Sequence, residues 1–136
     1  MESHTEIVVR GYHVDIYGHV NNARYLEFLE EGRWASLESC VDLATWAAKG
    51  LSFMVVNINV NYRKAVGPGE RLLVSTGLEK IGSRSATLKQ EITLKGSGDV
   101  VVDALVTFVI GDKQGKLVSM DDDLTAELLR LDRSAA

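Results

Sequence analysis

One cysteine and one proline in 136 residues set the first limits on this chain. Cys40 has no partner for an internal disulfide, which fits a reducing compartment. One thiol and three dispersed histidines supply no ligand spacing for a structural zinc site, so no metal and no other cofactor is expected. Cys40 itself reads as a small buried hydrophobe at a helix end. No apolar run approaches the roughly 20 residues that cross a bilayer. Residues 1–6, Met-Glu-Ser-His-Thr-Glu, lack the basic flank and apolar core of a signal peptide, so a cytoplasmic protein with no membrane partner is expected. Lys and Arg number 15 against 19 Asp and Glu, and the net charge of −4 argues against a nucleic-acid binder. It does not exclude a phosphate-bearing ligand gripped by a few local cations. With no linker, repeat or low-complexity tract, residues 1–136 read as one domain.

What is present divides into two periodicities. Residues 5–11 read as a first strand ending at Gly11. Asn22 to about Glu38 reads as a long helix, with Tyr25, Leu26, Phe28, Leu29, Gly32, Trp34, Ala35 and Leu37 covering far more than one stripe. A helix that apolar should be wrapped, and Gly32 in its middle suggests a strand in close approach. A short helix from Asp42 to Lys49 closes at Gly50. From Leu51 the period becomes two: Val56, Ile58, Val60 and Tyr62 alternate with Asn57, Asn59, Asn61 and Arg63. Glu70–Ile81, Arg84–Lys95, Val100–Ile110 and a short Lys116–Met120 follow as strands, joined at glycine-rich turns. Asp121–Asp123 opens a last helix carrying Leu124, Leu128 and Leu131, with Arg130 and Arg133 near its end. Separated helical and strand segments predict an α+β fold, an antiparallel meander curled around the long helix.

The chemistry gathers between Arg10 and Trp34. A loop with Asp15 and His19 leads into two asparagines where the long helix should be capped. The unpaired N–H groups of the first helical turn then face back toward that loop. A carboxylate, an imidazole and backbone donors in one small volume suit acyl transfer. Asp15 can attack directly or act as base on a water. The competing reading is an Asx-turn or cap residue, which residue types alone favour. His19 can orient water or protonate a leaving thiolate, or simply pack at the helix entry. Asn22 contributes through its N–H, which needs no particular side chain.

Three stretches carry a resemblance that spans nearly the whole chain. They are Val9-Arg-Gly-Tyr-His-Val-Asp15, Gly18-His-Val-Asn-Asn-Ala-Arg-Tyr-Leu-Glu-Phe-Leu-Glu-Glu-Gly-Arg-Trp34 and Val55-Val-Asn-Ile-Asn-Val-Asn-Tyr-Arg63. The sequence resembles the hotdog-fold acyl-CoA thioesterases of the 4-hydroxybenzoyl-CoA thioesterase superfamily, and within it the long-chain enzymes. The resemblance implies a hotdog fold, an antiparallel sheet wrapped around one long central helix. It implies hydrolysis of medium- to long-chain fatty acyl-CoA to free acid and CoA, in fatty acid metabolism. It puts the catalytic Asp at Asp15 and the carbonyl-polarising N–H at Asn22 or its neighbour. Related plant acyl-carrier-protein thioesterases carry Asp-x-Asn-x-His; Asp15 and His19 match its ends, but Tyr17 replaces its Asn.

The same resemblance suggests where CoA phosphates would bind: Arg84 with Ser83 at the Gly82 hairpin, Lys80 beside it, and Arg63 with Lys64. It also puts the asparagine strand at a subunit contact, in a dimer or homotetramer with the site between subunits. Trp46, Phe53 and Met54 read either as acyl-tunnel lining or as ordinary core. Asp103 reads as a structural hydrogen-bonding group rather than a second acid, and Tyr25 as packing. Alternatives are a thioesterase for aromatic acyl-CoA and a non-catalytic acyl-CoA-binding module on the same fold. A hydroxyacyl dehydratase fits less well: Asp15 and His19 are one residue too close for it, and no Pro follows Asn22.

Overall fold

A computed structural model of the chain describes residues 3–131. The elements run β1 (Ser3–Val8), a 3-10 turn (Gly11–His13), α1 (Asn22–Cys40), α2 (Leu43–Ala48), β2 (Ser52–Tyr62), β3 (Arg71–Ile81), β4 (Ser85–Leu94), β5 (Val100–Gly111) and α3 (Asp122–Leu128). The five strands form one antiparallel sheet in the order β1-β3-β4-β5-β2, with α1 packed on one face. The α+β architecture is the expected one, with three departures.

First, only β3, β4 and β5 form a meander. β2 pairs with β5 at the far edge, so the chain from Arg63 to Glu70 must cross the end of the sheet to reach β3. Second, Lys116–Met120 is no strand. Both edges of β5 are already filled, by β4 and β2, and the returning chain makes one bridge, Gly111 to Leu117. Third, the sheet wraps α1 without covering all of its apolar residues. Tyr25, Phe28, Leu29, Gly32, Ser36, Leu37 and Cys40 are buried at helical spacing, while Leu26 and Trp34 remain 37% and 42% exposed. A bulge between Val55 and Asn57 also shifts the phase of β2, leaving Val56 59% exposed while Ile58 and Val60 pack on the core.

Gly32 marks the crossing of α1 over the sheet. A Cβ there would stand 2.5 Å from Cγ1 of Val74, so only glycine lets helix and strand come this close. Beside it the fully buried Gln90 amide donates to the Leu29 carbonyl (3.0 Å) and to Thr76 Oγ1 (2.9 Å) and accepts from Arg33 (3.2 Å). The backbone carbonyl, hydroxyl and guanidinium around it leave the amide well satisfied despite its burial. Below this crossing, Leu37, Cys40 and Trp46 pack with Leu78, Leu88, Phe108, Ile110 and the α3 residues Leu124 and Leu128. Asp121 caps α3, accepting from the Leu124 N–H, and Arg130 donates to the Cys40 carbonyl; Arg133 lies outside the described residues.

Candidate active site

The loop before α1 is built by backbone bonds. Asp15 N–H donates to the His19 carbonyl (3.0 Å), and Gly18 N–H to the Asp15 carbonyl (3.0 Å), with Gly18 at φ +75°. That dihedral is costly for any residue with a Cβ, so the turn depends on glycine. The Asp15 carboxylate accepts from the Tyr17 N–H at 2.9 Å, the Asx-turn that residue types alone favoured. This bond uses Oδ1. Oδ2 has no partner among the described residues, so the turn leaves one oxygen of this exposed carboxylate open.

The helix cap is Asn21, not Asn22. Its side chain accepts from the Ala23 N–H (3.0 Å) and its carbonyl from the Arg24 N–H (2.8 Å). The Asn22 N–H is then the first-turn donor with no acceptor among the described residues. Two bonds fix this end of the helix: Asn21 N–H donates to the His13 carbonyl and Val20 N–H to the Val66 carbonyl, both at 2.9 Å. His13 is a structural residue. Its Nδ1 accepts from the Arg10 N–H at 2.8 Å, and its ring packs edge-on against Phe28. Burial, then the nearby Arg24 charge, holds its pKa below the usual histidine value.

Asp15, His19 and Asn22 line one cleft of about 370 Å³, walled by Tyr17, Tyr25, Tyr62, Arg63, Lys64 and other neighbours. Its far wall is the crossover that leaves β2, which explains why Arg63 and Lys64 come to it. Both cations are engaged: Arg63 donates to Asp103, which also accepts from Asn61 (2.8 Å), and Lys64 pairs with Asp99 at 3.1 Å. Arg63, more than Asn61, holds the Asp103 carboxyl below its ordinary range, as its structural reading requires. Ser83 and Arg84 sit elsewhere. Along β5 their hairpin adjoins Val109, whereas the cleft adjoins Val102, seven residues or about 23 Å away. Within one chain they do not join the cleft.

Trp46 and Phe53 stack at 4.7 Å, and the Trp46 indole N–H donates to Glu127 at 2.6 Å. Trp46 is buried among α2, α3 and the sheet, as core. Burial pushes the Cys40 thiol up to about 11, which removes it as a nucleophile near neutral pH. Tyr62 lines the cleft without belonging to any chemical motif of the sequence. Its signal is its phase: it alternates with Ile58 and Val60 and so faces α1, beside Tyr25, from the last position of β2.

A Thioesterase-like superfamily model matches residues 9–128, which contain the loop, α1, the crossover and the whole cleft. The chain belongs to the thioesterase-like superfamily. It is 46% identical over 125 residues to the long-chain acyl-CoA thioesterase FadM of Escherichia coli (strain K12), covering 91% of this chain and 95% of FadM. The crystal structure of YbaW from Escherichia coli superposes with a TM-score of 0.88 at 45% identity, over 95% of this chain and 98% of that one. A 1,4-dihydroxy-2-naphthoyl-CoA thioesterase from Synechocystis, Slr0204, shares the fold with a TM-score of 0.82 at 17% identity, over 94% and 96%. The sheet and helix thus form the hotdog fold that the sequence resemblance implied, and this superfamily member is a thioester hydrolase.

Proposed function

We propose that this thioesterase hydrolyses medium- to long-chain fatty acyl-CoA to free fatty acid and CoA in the cytoplasm. The observation that carries the reading is the shared cleft of Asp15, His19 and the unpaired Asn22 N–H. The thioester carbonyl oxygen accepts from the Asn22 N–H, where the helix dipole favours negative charge. Asp15 takes a proton from water as it adds to the carbonyl carbon, or adds itself to give an anhydride that water then opens. Collapse of the tetrahedral intermediate breaks the C–S bond and releases CoA as thiolate, with His19 near enough to the cleft to assist protonation.

Arg63 and Lys64 are proposed to bind CoA phosphates. Their present ion pairs are more than a third exposed on the cation side, so exchanging a carboxylate for a phosphate costs little. Ser83 and Arg84 serve the same purpose only from a second copy. β2 is an open sheet edge, and beside it Trp34, Val55 and Val56 are 42%, 44% and 59% exposed. Antiparallel pairing of two such edges turns the hairpin end of one chain toward the Asp15 end of the other. A homo-oligomer, dimer or tetramer, follows.

The test compares CoA thiol release from palmitoyl-CoA and 4-hydroxybenzoyl-CoA by wild type and Asp15→Asn. Asn keeps the shape and removes the base, so kcat should fall by about 10²-fold or more with folding intact. Faster turnover of 4-hydroxybenzoyl-CoA would replace the aliphatic reading with an aromatic one. Full activity of Asp15→Asn would refute the assignment of Asp15.

A further inference from the structure

The cap that holds α1 in place leaves the cleft short of donors. Asn21 consumes the Ala23 and Arg24 N–H groups, so among the described residues the first turn leaves the Asn22 N–H for a substrate oxygen. A carbonyl oxygen turning into an oxyanion gains acceptor capacity, and a pre-positioned second donor then adds about 10²- to 10³-fold in rate where water is excluded. Most polar groups in the cleft are not available for this. Arg63 and Lys64, now paired with Asp103 and Asp99, are the cations assigned to the CoA phosphates, and the Asp15 carboxylate is itself an acceptor. Tyr17 stands 77% exposed on the turn and His19 is exposed on the same loop.

Tyr62 differs from these. Its ring lies 5.7 Å from the ring of the buried Tyr25, which fixes its direction toward the helix start. Its hydroxyl reaches the carbonyl of Asn22, the residue whose N–H is free, at 3.4 Å. Hydroxyl donors ordinarily sit 2.5–3.0 Å from their acceptors, so this bond is a long one and little is lost when the O–H turns away. The phenol is 43% exposed and lines the same cleft as Asp15 and His19.

We propose that the Tyr62 hydroxyl is the second hydrogen-bond donor to the thioester carbonyl oxygen. It acts with the Asn22 N–H, and the inference rests on the reading of the cleft given above. The O–H leaves the Asn22 carbonyl for the substrate oxygen and tightens as negative charge develops. It keeps its proton throughout, while the thiolate departs as already described. Tyr62 is then a catalytic residue in the sense of touching a reacting atom, and its contribution appears in kcat rather than in ground-state affinity.

The experiment measures palmitoyl-CoA hydrolysis by wild type, Tyr62→Phe, Tyr62→Trp and Asp15→Asn, with a thermal melt of each. Phe keeps the ring against Tyr25 and removes only the O–H. A fall in kcat of roughly 10- to 100-fold with KM within about twofold is expected, the lower range reflecting the partial exposure of the site. Trp keeps a ring donor at this place and should recover part of the loss; it also serves if the Phe variant does not fold. A ¹³C-labelled ketone analogue of palmitoyl-CoA, with methylene in place of sulfur, gives a second readout. Its carbonyl infrared band should move to lower frequency on binding wild type and move less with Tyr62→Phe. Unchanged kcat, a rise in KM alone, or the same band position in both proteins would overturn the proposal. If Tyr62→Phe is fully active while Asp15→Asn is inactive, only the role of Tyr62 fails. If Asp15→Asn is fully active, the cleft itself is misassigned and Tyr62 goes with it.

Discussion

Replacing Gly32 by alanine sets two known effects against each other. In an isolated helix the change is favourable by about 1 kcal/mol. Here the new Cβ would meet Val74 Cγ1 at 2.5 Å and Gln90 Nε2 and Thr76 Oγ1 at 3.3 Å each. Carbon atoms pack best at about 3.5–4.0 Å, so helix and strand must separate by about 1 Å or Val74 must rotate. Val74 is fully buried, and valine is stiff at χ1, so rotation offers no cheap escape. Overpacking of this kind costs about 1–3 kcal/mol. Separation also stretches the bond from Gln90 to the Leu29 carbonyl, a further loss of about 1 kcal/mol. The net expectation is destabilisation by about 1–3 kcal/mol, a drop in Tm of roughly 3–15 °C for a chain of this size. Urea unfolding at a single protein concentration measures it directly, the fixed concentration removing any contribution from association. A Gly32→Ala protein as stable as wild type, or more so, would refute the close-approach account of this glycine.

Two further outcomes follow from titratable groups that burial shifts. Because the His13 pKa is lowered by burial, the folded state resists protonation that the unfolded chain accepts. Its contribution is therefore complete above the unfolded value near 6.5 and is lost as pH falls through the window below it. Urea unfolding between pH 7.5 and 5 should show wild type losing stability relative to His13→Gln; parallel curves would refute this. The Cys40 thiol, raised to about 11 and buried at the end of α1, should give no reaction with a thiol-specific disulfide reagent in the native protein and one equivalent in denaturant. Rapid native labelling would show that the α1–α3 contact opens.

The sequence made the elements legible because each carries a strong local signal. The asparagine cap, the apolar spacing of α1 and the alternation within β4 are read off residue types, and Gly32 announces its own crossing. Strand order carried no such mark. Nothing in Arg63–Glu70 distinguishes a hairpin from a crossover, yet that segment decides which residues wall the cleft. The bulge at Val56 was equally hidden, since Val56 fits the alternation that the bulge breaks. The apolar residues of α1 exceed one stripe and so point to a helix largely wrapped by other elements. In a single chain Leu26 and Trp34 stay open, because sequence apolarity reports burial in whatever assembly forms and not in one chain alone.

The position of the Asn22 N–H is determined from two directions. At the tip, Asn21 and Val20 are tied to the His13 and Val66 carbonyls, on two separate segments of the chain. Ten residues further on, about 15 Å along the axis, Gln90 and the absent side chain of Gly32 fix the height of α1 above the sheet. A helix held at both points can neither slide nor tilt without losing one of these bonds. Asp15, by contrast, sits on a surface turn held by its own backbone and the Tyr17 N–H. A donor that must meet a developing charge without reorganising belongs on the rigid element, whereas a carboxylate that must reach water and substrate in turn tolerates a loop. On the proposed reading of the cleft, the buried polar bonds at the crossing of α1 with the sheet lie two to three turns from the donor whose position they help to fix.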